Sequence, residues 1–157
     1  MPGLAADSRD GTVVRATGIA RRLVGESAFV PPVAGVPCVV AWTRYGLHDP
    51  VQPAGNKPLV IERWQIKPFI LDAPPLHVIV DAGHIELMLP SRSDGNLQEI
   101  SVAEGQRITV IGTVLHDGIE LPADEQAFRD MRVGCKLVGN RAHPVVITAS
   151  VSDTLAG

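Results

Sequence analysis

The side chains best suited to chemistry are the histidines and cysteines, and the closest grouping is His77, Asp81 and His84. In an alternating strand His77 and Asp81 face the same side, and His84 follows directly after the turn at Ala82-Gly83. Imidazole and carboxylate ligands suit zinc, which activates water in metal-dependent hydrolases. These three residues are only weak candidates for a metal site, because the compact spacings of zinc motifs are missing and ordinary hydrogen-bonded histidines explain them more simply.

The two cysteines are predicted to be structural. Cys38 follows a proline and opens the apolar run Val39 to Trp42, and apolar surroundings raise the pKa of a thiol and suppress its reactivity. The sequence leaves open whether Cys38 and Cys135 are bonded, since a disulfide requires a short Cα separation. Two cysteines are too few for a secreted disulfide scaffold, which favours a reducing cytoplasm.

Motifs for catalysis and cofactor binding are missing from the sequence. We find no Gly-x-Ser-x-Gly elbow, P-loop, His-Glu-x-x-His helix or Rossmann glycine run. Asp72 and Asp81 flank the proline turn Ala73-Pro74-Pro75, and turn formation explains these carboxylates more simply than acid–base catalysis does. We therefore predict that the protein is not an enzyme and carries no cofactor.

Two stretches rich in proline, glycine and polar residues are predicted to be binding loops, namely Arg44 to Pro58 and Pro90 to Leu97. Within the first, Tyr45, Leu47 and His48 are the predicted contacts, because interfaces favour aromatic and amphipathic side chains. The alternative is that Tyr45 and Leu47 pack down onto the domain and only close its core.

The composition limits the class of protein and its partners. A chain of 157 residues with 45% apolar residues has the size and core of one domain. A net charge of −3 argues against nucleic acid and anionic lipid as partners. Residues 1–10 lack the features of a signal peptide and are predicted to be a flexible tail. No apolar run approaches the roughly 20 residues of a membrane helix, so no membrane span is expected.

Short β-branched runs bounded by turn residues predict an all-β, mainly antiparallel domain over residues 11–152. The predicted strands are 12–20, 38–42, 59–66, 69–71, 76–80, 85–89, 107–115 and 145–149. Glycines seven residues apart, Gly11 with Gly18 and Gly105 with Gly112, are typical of strands that coil around a barrel. One short helix is predicted at 123–132, because Pro122 opens the segment and Gly134 follows it.

An ordered set of features resembles the GIDE domain, also called the BAM ("beside a membrane") domain, of MULAN-type ubiquitin ligases and bacterial relatives. The matching features are Gly18 to Ala20, the Pro31 to Cys38 corner, Trp42, Trp64, Pro68 to Asp72, Val78 to Asp81, Val102 to Gly112 and a last strand near Pro144. The resemblance implies a small OB-like β-barrel that serves as an interaction module beside membrane helices. This chain has neither those helices nor a RING. NfeD-type membrane-associated barrels are the second resemblance.

The sequence therefore predicts a non-enzymatic, GIDE-like protein-interaction module in the cytoplasm or at the periphery of a membrane. The predicted partner is a protein, and membrane proteins are among the candidates. Two alternatives stay open at this point. One is a small metal-dependent hydrolase built on the histidine group. The other is a barrel that binds single-stranded nucleic acid, for which the sequence offers few exposed aromatic residues and no array of arginines.

Overall fold

The computed structural model describes residues 1–5, 7–23, 29–47, 59–116 and 133–150. This part of the chain forms eleven strands and no helix. The strands are β1 (Val13–Arg22), β2 (Cys38–Leu47), β3 (Leu59–Ile66), β4 (Phe69–Ala73), β5 (Leu76–Ala82), β6 (Ile85–Met88), β7 (Arg92–Asp94), β8 (Leu97–Ala103), β9 (Arg107–Leu115), β10 (Val133–Gly139) and β11 (Val145–Ala149). The helix predicted at 123–132 lies outside the described residues.

Five of these strands close into a barrel in the order β1-β4-β5-β10-β9 and back to β1. The β5–β10 pair is parallel and the other four pairs are antiparallel. Numbered along the chain, the barrel strands follow the order 1-2-3-5-4-1, which is the Greek-key connection of an OB-fold. The prediction of an all-β, OB-like barrel is therefore confirmed.

Alternation along the barrel strands directs one set of side chains inward. In β1, Val14, Ala16 and Ala20 are buried and alternate with exposed or partly exposed neighbours. Gly18 takes the inward position where β1 passes from pairing with β9 to pairing with β4. A Cβ atom on Gly18 would overlap the carbonyl oxygen of Asp72, so the close approach of β4 requires glycine here.

A second, four-stranded sheet in the order β3-β2-β8-β7 packs on the barrel. Along the chain, its strands β2 and β3 are inserted between barrel strands β1 and β4, and its strands β7 and β8 are inserted between barrel strands β5 and β9. Val40 and Val102 of this sheet belong to the same buried cluster as the barrel interior. The second sheet therefore shares one hydrophobic core with the barrel.

The proline corner at Pro31 to Pro37 lies against β8 of the second sheet. Glu99 of β8 is 1% exposed, and its carboxylate accepts hydrogen bonds from the backbone N–H of Val33 at 2.9 Å and of Ala34 at 2.8 Å. Cys38, which follows the corner, is buried as predicted. A buried carboxylate thus holds the stiff corner in place.

The N-terminal residues also contact the barrel. The backbone N–H of Leu4 donates to the carbonyl oxygen of Arg15, and the N–H of Arg15 donates to the carbonyl oxygen of Pro2. Leu4 packs against the hydrophobic core. Residues 2–4 therefore add a short extended segment beside β1.

The structure shows strand in parts of the two predicted binding loops, while residues 48–58 of the first lie outside the described residues. Strand β2 continues to Leu47. Arg44 and Tyr45 pair with both β3 and β8, and the last two residues of the strand pair with β3. Residues 92–94 form β7, which pairs with β8 across a turn with Gly95 at positive φ. The sequence around these strand ends is dominated by glycine, proline and charge, so local patterns do not predict strands there. The strand ends form because they pair with residues distant in the chain.

Candidate interaction surface

The β2–β3 hairpin exposes an unusual number of large apolar side chains. Tyr45 is 41% exposed, Val60 39%, Ile61 50% and Trp64 44%. Tyr45 lies opposite Ile61 on one face of the hairpin. By strand alternation, Val60 and Trp64 lie on the other face. We call these four residues the hairpin patch; they cover both faces of β3.

An apolar cavity of about 230 Å³ adjoins the Trp64 side of this patch. It is lined by Trp42, Trp64, Ile85, Glu86, Leu87 and Ile100. Trp42 lies between Trp64 and Ile100 in the sheet, and the two tryptophan rings are tilted by 56° with centroids 6.4 Å apart. The cavity is large enough for part of an apolar side chain from a partner.

The structure places the predicted contact residues in different settings. Tyr45 is exposed on a strand and belongs to the hairpin patch. Leu47 is the last residue of β2. His48 lies outside the described residues. Their role in binding stays a prediction. The exposure of Tyr45 is consistent with that role.

The candidate metal residues are engaged with other partners. His77 Nε2 lies 3.2 Å from Asp72 Oδ1, and Lys136 Nζ lies 3.0 Å from Asp81 Oδ2. The side chain of His84 is exposed. Across the described ranges, no group of three or more histidine, cysteine, aspartate or glutamate side chains is placed to share a metal ion.

Asp72 connects two further groups on the outer surface of the barrel. Its Oδ2 lies 3.3 Å from Arg21 Nε, while its Oδ1 faces His77. The Nδ1 atom of His77 is buried and has no hydrogen-bond partner in the part of the chain that the structure describes. The carboxylate of Asp72 is thus shared between Arg21 on β1 and His77 on β5.

Both cysteines are buried and free. Burial raises the pKa of the Cys38 thiol and likewise raises the pKa of the Cys135 thiol. A raised pKa keeps each thiol protonated near neutral pH, and the thiolate is the nucleophilic form. Neither cysteine is therefore prepared for nucleophilic catalysis.

Sequence reasoning missed Val60, Ile61 and the exposure of Trp64. Tryptophan in an apolar run is usually buried, so the sequence gives no direct sign that Trp64 is exposed. The available signal was that the run Val60-Ile61-Glu62-Arg63-Trp64 has apolar residues on both faces with two charges between them. A strand with one solvated face alternates strictly, and this run does not, so its apolar residues cannot all face one core.

None of the described segments forms a helix with the length and hydropathy needed to span a membrane. Comparisons with known proteins add no relative: no family model, no curated protein and no solved structure matches this chain.

Proposed function

We propose that this domain is a non-enzymatic protein-interaction module that recognises a protein partner through the β2–β3 hairpin. The observation that carries the proposal is the hairpin patch, Tyr45, Val60, Ile61 and Trp64, in which each side chain is more than a third exposed. Single exposed apolar residues are normal, but clusters of them mark interaction sites. Tyrosine and tryptophan are also the residue types enriched where partners bury surface.

The chemistry of the remaining groups supports binding rather than catalysis. The carboxylates of Asp72 and Asp81 are paired with cationic side chains or histidine. Both thiols are buried with raised pKa values. A catalytic site needs an activated nucleophile or base within reach of substrate, and these paired carboxylates and buried thiols give no support to one.

The resemblance to GIDE domains points the same way, because the resemblance implies an interaction module beside a membrane. Under this proposal membrane proteins are among the partners. Binding of this domain to such a protein would bring it from the cytoplasm to the periphery of the membrane. The partner takes the place of the membrane helices that flank GIDE domains elsewhere.

The usual oligonucleotide face of an OB-fold gives little support to nucleic-acid binding. That face is formed by barrel strands two and three, here β4 and β5. Its outward side chains are the buried Ile70 and Ile79 together with Asp72, His77 and Asp81. The cations beside these carboxylates, Arg21 and Lys136, already pair with Asp72 and Asp81, and none of the outward side chains is a tyrosine, tryptophan or phenylalanine on which a base could stack.

Site-specific photo-crosslinking in the cells that make this protein tests the proposed function. We would place p-benzoylphenylalanine at position 45 or 61 and, as a matched control, at position 13, because Val13 is an exposed apolar residue of the barrel. The expected result is a discrete protein adduct at 45 and 61 that is missing at 13. Equal adduct patterns at all three positions, or no adducts, would contradict the proposal.

A further inference from the structure

Strand β3 ends the second sheet on one side, as far as the described residues extend. It is 8 residues long and pairs with β2 along its whole length, from Leu59 to Ile66. A terminal strand presents backbone N–H and C=O groups that can pair with another strand. The hairpin patch therefore lies beside a backbone edge of sufficient length to receive a partner segment.

The hydrogen bonds fix which backbone groups face this edge. The N–H of Gly46 in β2 donates to Asn96 at the β8 side, so alternation directs the backbone of Tyr45 and Thr43 toward β3. Their opposite residues are Ile61 and Arg63.

A second contact agrees with this assignment. Thr43 Oγ1 donates to the carbonyl oxygen of Arg63 at 3.5 Å, so that carbonyl points toward β2. Ile61 and Arg63 therefore use their backbone groups within the hairpin. By alternation, the N–H and C=O groups of Val60, Glu62 and Trp64 point away from β2.

The charges at the centre of β3 decide against a second copy of this chain as the occupant. Antiparallel pairing of two β3 edges around Glu62 would set Glu62 opposite Glu62 of the copy. Shifting the register one step in one direction would set Arg63 opposite Arg63 of the copy. Shifting it one step in the other direction would set Ile61 opposite Ile61, with Glu62 and Arg63 each opposite an apolar residue and without a charged partner. Like charges directly opposite each other destabilise a strand pair, and central charges are a known protection of edges against self-pairing.

The same charges define a complementary partner. A basic residue opposite Glu62 and an acidic residue opposite Arg63 would each form a favourable cross-strand pair. Apolar residues fit opposite Val60, Ile61 and Trp64, which are exposed. The residue opposite Trp64 lies on the face that carries the apolar cavity.

We propose that β3 receives an extended segment of the partner protein as an added antiparallel strand. Read from its N-terminus, the segment is apolar, acidic, basic, apolar, apolar opposite Trp64, Arg63, Glu62, Ile61 and Val60. Antiparallel addition continues the pattern of the whole second sheet and follows a known mode of peptide recognition. This inference rests on the proposed function, since it specifies how the same hairpin binds its partner.

The first test uses a defined probe, the capped peptide Thr-Val-Glu-Lys-Ile-Val-Thr, with Thr-Val-Lys-Glu-Ile-Val-Thr as its charge-exchanged control. We would titrate both into the isotope-labelled protein and follow backbone amide signals. The expected result is binding of the first peptide that is at least about fivefold tighter than that of the control. Absence of binding, or equal binding of both peptides, overturns the proposal.

The second test separates the backbone contribution from the side chain. Glu62→Pro removes an edge-facing N–H, whereas Glu62→Ala removes the same side chain and keeps that donor. We expect Glu62→Pro to bind the first peptide about tenfold more weakly than Glu62→Ala. Equal affinities of the two variants overturn strand addition, provided that far-ultraviolet circular dichroism shows both variants folded.

Amide hydrogen exchange of the unaltered protein tests strand addition even if Glu62→Pro fails to fold. Peptide binding should slow exchange at Val60, Glu62 and Trp64 and leave Ile61 and Arg63 unchanged, because the latter already bond β2. Protection without this alternation contradicts the proposal. If cross-linking captures a partner at positions 45 and 61 while these peptide tests fail, strand addition is wrong and the proposed interaction function stands. If the cross-linked adducts are missing as well, both the strand addition and the proposed interaction function are wrong.

Discussion

Glu99 is the charged side chain with the clearest structural role. Its carboxylate is buried and accepts two backbone N–H groups of the proline corner. Burying a carboxylate is costly unless hydrogen bonds compensate it. The two donors supply that compensation, so the corner and β8 stabilise each other.

Replacement of Glu99 should therefore destabilise the fold. We expect Glu99→Ala to lower the free energy of unfolding by about 2–4 kcal/mol, because the N–H groups of Val33 and Ala34 lose their acceptor. Glu99→Gln keeps one acceptor oxygen and should cost about half as much. Urea denaturation measures both values.

Glu104 provides the control for this prediction. Its carboxylate lies 3.6 Å from Arg22 Nε in a solvent-accessible pair, and such pairs contribute about 0–1 kcal/mol. Equal losses for Glu99→Ala and Glu104→Ala would show that the buried hydrogen bonds at the corner contribute little.

Gly18 makes a second prediction at the scale of one residue. Gly18→Ala introduces a Cβ that overlaps the backbone of Asp72, so β1 and β4 must separate. We expect a loss of about 1–3 kcal/mol in the free energy of unfolding. Gly46→Ala in β2 is the matched control, since a Cβ there meets no atom within 4 Å; a comparable loss at both glycines would refute the steric explanation.

At the scale of elements, four of the five barrel strands were predictable, whereas β10 was not and the second sheet was predictable only in part. Barrel strands such as β5 and β9 are rich in branched residues, which sequence patterns identify directly. Strand β8 contains Gln98, Glu99 and Ser101 among its apolar residues. Its pairing depends on β2, which is more than fifty residues earlier in the chain, and local propensity carries no information about such a partner.

The exposed surface was less predictable than the core for the same physical reason. A tryptophan can be buried by residues far away in sequence or left at the edge of a sheet. Trp42 and Trp64 illustrate both cases, because Trp42 has neighbours on two strands and Trp64 on one. Only the strand order distinguishes them.

This difference predicts separate roles in folding and binding. Trp64→Ser should lower the free energy of unfolding by no more than about 1 kcal/mol, since the ring is nearly half exposed, yet it should remove the cross-linked adduct at position 61. Trp42→Ser should cost about 2–4 kcal/mol, because the ring packs between β3 and β8. Chemical denaturation and the cross-linking assay check the two effects; a retained adduct in folded Trp64→Ser would contradict the role in binding.

At the scale of the whole molecule, insertions have changed what an OB-like barrel presents to a partner. The hairpin that carries the patch is inserted between the first and second barrel strands, where OB-folds commonly place a ligand-binding loop. The outer face of barrel strands β4 and β5 carries Asp72 and Asp81 in ion pairs with Arg21 and Lys136. Apolar surface on the insertion and a barrel face whose cations are already paired support the proposed protein partner over a polyanion.

The last prediction follows from this distribution of charge. Fluorescently labelled single-stranded DNA and RNA of mixed sequence should show no change in anisotropy with the protein, even at low ionic strength, where attraction between cationic proteins and phosphates is strongest. The net charge of −3 opposes association in general, and carboxylates occupy the face that other OB-folds use. The double variant Asp72→Asn, Asp81→Asn tests the reason, because it removes the carboxylates that pair with Arg21 and Lys136 and should bring any weak, salt-sensitive binding into view. Tight binding by the unaltered protein would overturn the assignment of this barrel to protein recognition.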